Sequence, residues 1–213
     1  KKKYNLHRIL NFMAKFVLRY HKIPGVRYTE SNNSAEDFTK PAVIICNHQS
    51  HLDLAPMLAL TPKIIVLTAD WVWKNPVYRF TIRNAEFLPA SSGMDAIMPQ
   101  LKSLVERGYS IAIYPEGTRS MDCSIGRFRQ GAFHVAQTLG IDILAVVIYG
   151  TGKALKKRGR LLRKWPVHME IDRRITPEEM MSMGETTRRQ ASQMRKYYQK
   201  RYTEIADRIE QDV

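Results

Sequence analysis

A histidine and an aspartate, His48 and Asp53, lie five positions apart in the segment Asn-His-Gln-Ser-His-Leu-Asp. A neutral imidazole can take a proton from an alcohol, and a carboxylate on its other ring nitrogen holds the tautomer and stabilises the imidazolium. Within one ideal helix this offset would put the two side chains on different faces. A turn from a strand into a helix removes that objection. This motif alone leaves two interpretations open, proton transfer or a capped helix start with an incidental histidine.

The second group of reactive side chains is Glu116, Gly117, Thr118 and Arg119, in the segment Tyr-Pro-Glu-Gly-Thr-Arg-Ser. Glycine lets the backbone approach a ligand closely, and threonine offers a hydroxyl. Arginine offers a planar fork of donors that suits phosphate or carboxylate. An ordinary polar turn has the same composition, so this motif alone is weak support for a binding site.

Other nearby side chains suggest alternatives. His48 and His51 form a His-X2-His pattern that, with Asp53, suggests a metal-dependent hydrolase as an alternative. A metal assay on the purified protein would test that hypothesis. We expect no metal and interpret His51 as a hydrogen-bonding turn residue. Cys46 lies in an apolar run, so we expect a buried, inert thiol. The sequence also lacks the Gly-X-Ser-X-Gly turn of serine hydrolases.

Both motifs follow short apolar runs that read as buried strands, and helical patterns lie between such runs. Strands that alternate with helices predict an α/β sheet layered by helices. Ligands bind at the strand ends of such sheets. The predicted strands are residues 42–46, 64–68, 110–114 and 143–149, and the predicted helices are residues 1–20, 95–107, 128–139 and 186–210, with a further helix start at Thr176.

Composition is that of an ordinary globular chain. The 213 residues are 44% hydrophobic and carry a formal charge of +14, which favours polyanionic partners. We expect an amphipathic helix in residues 1–22 followed by one domain in residues 23–213. The two cysteines give no disulfide framework and fit a reducing compartment. No apolar run reaches the roughly 18 to 20 residues that span a bilayer.

Taken together, the two motifs resemble those of the glycerolipid acyltransferase family, the lysophosphatidic acid acyltransferases and their relatives. The resemblance covers residues 23–171 and implies an αβα layered domain with a mixed, mostly parallel sheet. It implies that His48 is the general base, that Asp53 orients it, and that residues 116–119 bind the acceptor. It further implies acyl transfer from acyl-CoA or acyl-carrier protein to a lysophospholipid-type hydroxyl, with no other cofactor. A non-catalytic lipid-binding module remains a competing interpretation.

Two positions depart from the family pattern. Ser91 stands where the family usually carries an arginine that contacts the acceptor phosphate, and Ala69 replaces a lysine that the family commonly carries before the Pro76 region. We therefore expect a weaker preference for phosphorylated acceptors, with a monoacylated amino-acid lipid as the alternative. Cations at Lys74, Arg79 or Arg83 are candidates to compensate, and Arg119 is retained.

An anionic membrane surface is the expected macromolecular partner. The helix of residues 1–20 has an apolar face and basic flanks, as interfacial helices do, although packing of that face on the domain is equally open. Residues 153–164 add seven cations and no acid. These features predict a peripheral protein on the cytoplasmic face of a membrane, or a domain of a longer membrane protein. With no nucleic-acid-binding fold signature, nucleic acid is not expected.

Overall fold

The fold is built on one mixed sheet, seen in a computed structural model that describes residues 2–20, 25–68, 84–89, 93–159 and 161–211. The strands lie in the order β1-β7-β6-β2-β5-β3-β4. All neighbouring strands are parallel except β6 and β7, which are antiparallel. The expected mixed, mostly parallel sheet is therefore confirmed. The strands are β1 (Val26–Asn32), β2 (Val43–Cys46), β3 (Ile64–Thr68), β4 (Leu88–Pro89), β5 (Ser110–Ile113), β6 (Ile143–Tyr149) and β7 (Trp165–Ile175).

Four of these strands, β2, β3, β5 and β6, are the apolar runs that the sequence predicts; β2 begins one residue later and β5 ends one residue earlier than predicted. The other three were not predicted. The long strand β7 was missed because its run is rich in charge, with Glu170 and His168 in its centre. Both of these side chains are buried. The carboxylate of Glu170 accepts hydrogen bonds from Arg201 and Arg208, so a polar residue is stable inside the fold.

Helices cover both faces of the sheet. Alternate residues of a strand point to opposite faces, so β2 sends Val43 and Ile45 into one core and Ile44 and Cys46 into the other. The helices are α1 (Lys2–Arg19), α2 (Leu54–Leu60), α3 (Met94–Glu106), α4 (Gly131–Leu139), α5 (Thr151–Ala154), α6 (Pro177–Ser182) and α7 (Thr187–Glu210), with a 3-10 turn at His51–Asp53.

The ends of the helices follow their local sequence. Gly140 closes α4 in the left-handed conformation, with a φ of 61°, as predicted from glycine just past a helical pattern. Thr176 begins α6 with its hydroxyl accepting from the backbone N–H of Glu179, whose side chain accepts from the N–H of Thr176. The result is a capping box with proline at the first turn, which fixes where the helix starts.

Helix α1 packs against α2 through only part of its surface. Asn11 donates to the carbonyls of Leu58 and Ala59 at 2.7 and 3.0 Å, and His7 is buried against the rings of Phe87 and Tyr109. Those carbonyls belong to the end of α2, where the helix itself offers no partner. Core packing and an exposed apolar surface therefore coexist on α1. None of the helices in the described ranges is long and apolar enough to cross a membrane.

Candidate active site

The first motif begins where strand β2 ends. Asn47, fully buried, follows Cys46, and its side chain pairs with the backbone of β6. Its Oδ1 accepts from the N–H of Ile148 and its Nδ2 donates to the carbonyl of the same residue, both at 2.8 Å. The amide thus replaces the main-chain bonds that a continuing strand would make. It fixes the point at which the chain turns away toward His48.

The carboxylate of Asp53 organises the turn. Its side chain is 0% exposed, and its Oδ2 accepts from His48 Nδ1 at 2.8 Å. The same oxygen accepts from the backbone N–H groups of Gln49 and Ser50 at 2.7 and 2.9 Å. Ser50 in turn caps the 3-10 turn that carries Asp53. One oxygen therefore holds both the loop backbone and the imidazole.

The contact with Asp53 determines what His48 can do. A carboxylate only accepts hydrogen bonds, so Nδ1 carries the hydrogen and Nε2 is left with its lone pair. The His48 side chain is 22% exposed, so it is accessible while Asp53 is not. Its ring stacks on that of Tyr114, with centroids 4.1 Å apart and planes inclined by 21°. The imidazole is thus held on one edge and one face, as a general base requires.

Glu116 joins the second motif to the first. It is buried, and its Oε1 accepts from the backbone N–H of His48 while its Oε2 accepts from that of Gly126, both at 2.9 Å. The N–H of Ser120 donates to the carbonyl of His48 at 2.8 Å. Burial raises the pKa of the Glu116 carboxyl, an effect that the two N–H donors oppose. The backbone of His48 is therefore held on both sides by the second motif.

The remaining predicted residues, Gly117, Thr118 and Arg119, form the turn beyond Glu116. Gly117 has a φ of +67°, a conformation that suits glycine, and an added Cβ would lie 2.8 Å from Arg129 Nε. Thr118 is exposed and Arg119 is half-buried. The structure places this turn beside His48 through Glu116 and Ser120, so all six predicted residues lie in one region.

A third segment, residues 155–159, contacts both motifs. Ser50 Oγ donates to the carbonyl of Leu155 at 2.9 Å. Lys157 Nζ donates to Thr118 Oγ1 at 2.9 Å and to the carbonyl of Arg119 at 2.7 Å, and Arg119 Nη1 donates back to the carbonyl of Lys157 at 3.2 Å. Sequence reasoning took this stretch for a surface contact and gave no sign of its place at the site.

The alternative site residues are placed as follows. Cys46 is fully buried, as expected, and burial raises the pKa of its thiol. His51 lies at the exposed start of the 3-10 turn, and its pKa is lowered by partial burial and by the charges of Arg119 and His48. Across the described ranges, no group of three or more His, Cys, Asp or Glu side chains is arranged to hold a metal ion.

Five positions named for acceptor binding, Ala69, Lys74, Arg79, Arg83 and Ser91, lie outside the described residues, so the expectation built on them stays a prediction. Sequence reasoning also missed two contributors to the site, Tyr114 and Lys157. Tyr114 could have been found, because it is the first residue of the segment that contains the second motif and lies at a strand end. Lys157 could not, because it reaches Thr118 from 39 positions away.

Residues 25–149 match the family described as Acyltransferase. A chloroplastic 1-acyl-sn-glycerol-3-phosphate acyltransferase of Arabidopsis thaliana is 31% identical over 120 residues, which cover 54% of this chain and 33% of that protein. A 1-acyl-sn-glycerol-3-phosphate acyltransferase of Saccharomyces cerevisiae is 26% identical over 165 residues, covering 73% and 54%. The matched chain thus spans about a third to a half of these relatives' lengths.

The fold has a solved counterpart. The crystal structure of the 1-acyl-sn-glycerophosphate acyltransferase PlsC from Thermotoga maritima aligns with a TM-score of 0.70 at 21% identity, over 92% of this chain and 79% of that one. At this identity the likeness speaks for the fold alone. The family match spans more than half of the 213 residues and includes both motifs. The chain therefore belongs to the acyltransferase family.

Proposed function

We propose that this chain transfers a fatty acyl group from a thioester donor, acyl-CoA or acyl-carrier protein, to the hydroxyl of a lysophospholipid-type acceptor such as 1-acylglycerol 3-phosphate. The observation that carries the proposal is the 2.8 Å contact between His48 Nδ1 and the buried Asp53 Oδ2. It leaves an accessible imidazole with a free lone pair, which is the group that proton removal from an alcohol requires.

The reaction needs no covalent intermediate with the protein. His48 Nε2 takes the proton of the acceptor hydroxyl as its oxygen attacks the thioester carbonyl carbon. The carbon–sulfur bond then breaks, and the leaving thiolate takes that proton from the imidazolium. The products are an ester and a free thiol. Asp53 stabilises the imidazolium in between, because its carboxylate is fully buried beside Nδ1.

Two further residues serve as positioning residues in this scheme. Glu116 has both carboxylate oxygens engaged with backbone N–H groups, one of them that of His48. We assign it to holding the His48 loop against the second motif. Tyr114 gives the imidazole a flat aromatic surface at 4.1 Å. Such a surface attracts a cation, so it favours the imidazolium that forms during transfer.

Two observations support the proposed acceptor class: the names of the relatives and the positive charge of Arg119 at the site. The two curated relatives and the Thermotoga protein all carry acylglycerophosphate acyltransferase names. Here, Arg119 lies in the turn beside His48, and its charge is near enough to lower the pKa of His51. An arginine fork suits a phosphate. A phosphate-bearing lipid is therefore the acceptor class that best fits the site.

The test is an acceptor screen with labelled acyl-CoA and labelled acyl-carrier protein, with products identified by mass spectrometry. Lysophosphatidate, a neutral monoacylglycerol and a monoacylated amino-acid lipid are the acceptors. The proposal predicts a diacyl product from lysophosphatidate with at least one of the donors. Turnover on the amino-acid lipid alone would refute the proposed acceptor and make that lipid the substrate. Release of free fatty acid without transfer would refute the proposed acyltransferase activity.

We also propose that α1 docks on an anionic membrane surface. Its outward face carries Ile9, Phe12 and Met13, each more than half exposed, with Phe12 at 67%. Phe12 and Phe16 stack at a centroid distance of 6.1 Å, and Phe16 and Tyr20 lie 5.5 Å apart in a tilted arrangement, so an aromatic stripe runs along the helix. An amphipathic helix with basic flanks inserts such a face at the headgroup boundary.

Sedimentation with vesicles tests the docking. Fully burying a large apolar side chain contributes about 1.5 to 3 kcal/mol, so the double change Ile9→Ser and Phe12→Ser should weaken vesicle binding by roughly a hundredfold or more. Met181→Ser is the control, because Met181 is also about half exposed but lies on α6, across the sheet. Binding should need anionic lipid and fall with salt. Equal effects of the two variants would contradict the assignment.

A further inference from the structure

Lys157 lies among the residues predicted to bind the acceptor. Its ammonium group donates to Thr118 Oγ1 at 2.9 Å and to the Arg119 carbonyl at 2.7 Å, while Arg119 Nη1 donates to the Lys157 carbonyl at 3.2 Å. The two cationic residues therefore hold each other's backbone. This reciprocal arrangement fixes the positions of both side chains relative to the turn.

The arrangement leaves hydrogen-bond donors available. An ammonium has a donor beyond the two that Lys157 uses, and a guanidinium has several beyond the one that Arg119 uses. Because Thr118 Oγ1 accepts from Lys157, its own hydroxyl hydrogen is directed elsewhere. In the part of the chain that the structure describes, these donors have no assigned acceptor. A tetrahedral anion with several oxygens would engage all three side chains.

The charges of Arg119 and Lys157 are also not neutralised within the described ranges. Neither residue forms an ion pair there, whereas Lys153, in the preceding helix α5, is paired with Glu210. Two cations held together repel each other, and a bound anion removes that cost. The charge of Arg119 acts on His51, three positions from His48, so the pair lies close to the reacting centre.

We infer that Lys157 is a specificity-determining residue that, with Arg119 and Thr118, binds the phosphate of the acceptor. The inference rests on the proposed function. Lys157 would supply a positive charge for the acceptor phosphate although Ser91 and Ala69 stand at positions where the family usually carries cations. Part of the preference for a phosphorylated acceptor would then come from Lys157, which lies outside the two motifs.

Kinetics with two acceptors test the role. For Lys157→Met we expect the ratio of kcat/KM for lysophosphatidate to kcat/KM for a neutral monoacylglycerol to fall by about tenfold to a hundredfold, the loss typical of one charge-assisted contact. The change should be mainly in the KM for lysophosphatidate. Lys157→Arg should recover part of the ratio, because it restores the charge. Lys156→Met, which removes an exposed neighbouring cation, is the matched control and should leave the ratio unchanged.

A binding measurement separates this inference from the proposed function. Calorimetry with a short-chain lysophosphatidate and no donor needs no turnover, and wild type should bind at least tenfold more tightly than Lys157→Met. If wild type transfers to neither acceptor, the proposed function fails while this comparison still decides the role of Lys157. Equal dissociation constants would overturn the inference. An equal loss of kcat/KM on both acceptors, with the dissociation constants unchanged, would also overturn it and make Lys157 a structural clamp.

Discussion

Replacing Asp53 by asparagine isolates the charge of the buried carboxylate. Three donors converge on Oδ2, from His48 Nδ1 and the backbones of Gln49 and Ser50. Two of them are backbone N–H groups, so the oxygen of an asparagine should occupy this position rather than its NH2. The hydrogen on His48 Nδ1 is then still accepted, and the tautomer is kept. What is lost is the negative charge beside the imidazolium.

The size of the loss follows from that geometry. With the two charge centres about 4 Å apart and an effective dielectric constant of about 20, the interaction is about 4 kcal/mol. We therefore expect kcat to fall by about two to three orders of magnitude. Each of the three hydrogen bonds should weaken by about 1 kcal/mol when its acceptor becomes neutral, so the free energy of unfolding should fall by about 3 kcal/mol. A domain of ordinary stability stays folded after such a loss.

The assay combines urea unfolding with release of free thiol from the acyl donor at saturating acceptor. Asp95→Asn is the control, because Asp95 is an almost fully exposed aspartate on α3, and it should change neither quantity appreciably. An Asp53→Asn protein that keeps kcat within tenfold of wild type would refute the electrostatic argument. So would a large loss of kcat explained fully by an unfolded fraction.

Three further predictions concern the surroundings of the dyad. Tyr114→Phe should keep kcat within about threefold because the ring remains, while Tyr114→Leu should lower it about tenfold, the value of one aromatic contact; steady-state kinetics on the two variants compare them directly. Burial raises the pKa of Glu116, so the folded state binds its proton more tightly, and stability falls as pH rises from the ordinary carboxyl range through the raised value. Glu116→Gln should remove this part of the pH dependence of thermal unfolding. An unchanged pH profile in that variant would contradict the prediction. A thiol reagent should label the half-buried Cys123 in native protein and leave the fully buried Cys46 unlabelled until denaturant is added, with labelling read by mass spectrometry.

Local chemistry made much of this molecule predictable. The strands β2, β3, β5 and β6 are apolar on both faces because helices cover both sides of the sheet, and such runs are visible in a sequence. Both motifs follow strands of this kind, so their placement at the strand ends was predictable too. The capping residues Thr176 and Gly140 mark helix ends because their effects reach only a few positions along the chain.

The features that sequence reasoning missed depend on distant partners. Glu170 and His168 look like surface residues until Arg201, Arg208, Thr29 and Ser31 are placed around them. The same holds for the segment after α5, whose cations suggested only a surface contact. On α1, Leu6 and Leu10 pack against the core while Ile9 and Met13 are exposed, and this division depends on contacts with distant parts of the chain.

The most direct test of the proposed role of His48 is transfer of a labelled acyl group by three proteins under identical conditions: wild type, His48→Ala and His51→Ala. We expect product from wild type, none above the enzyme-free background from His48→Ala, and a mild reduction for His51→Ala, with all three folded by circular dichroism. The Nδ1 of His48 is held by the buried Asp53. Near-normal transfer by a folded His48→Ala protein would contradict the claim that this imidazole removes the proton.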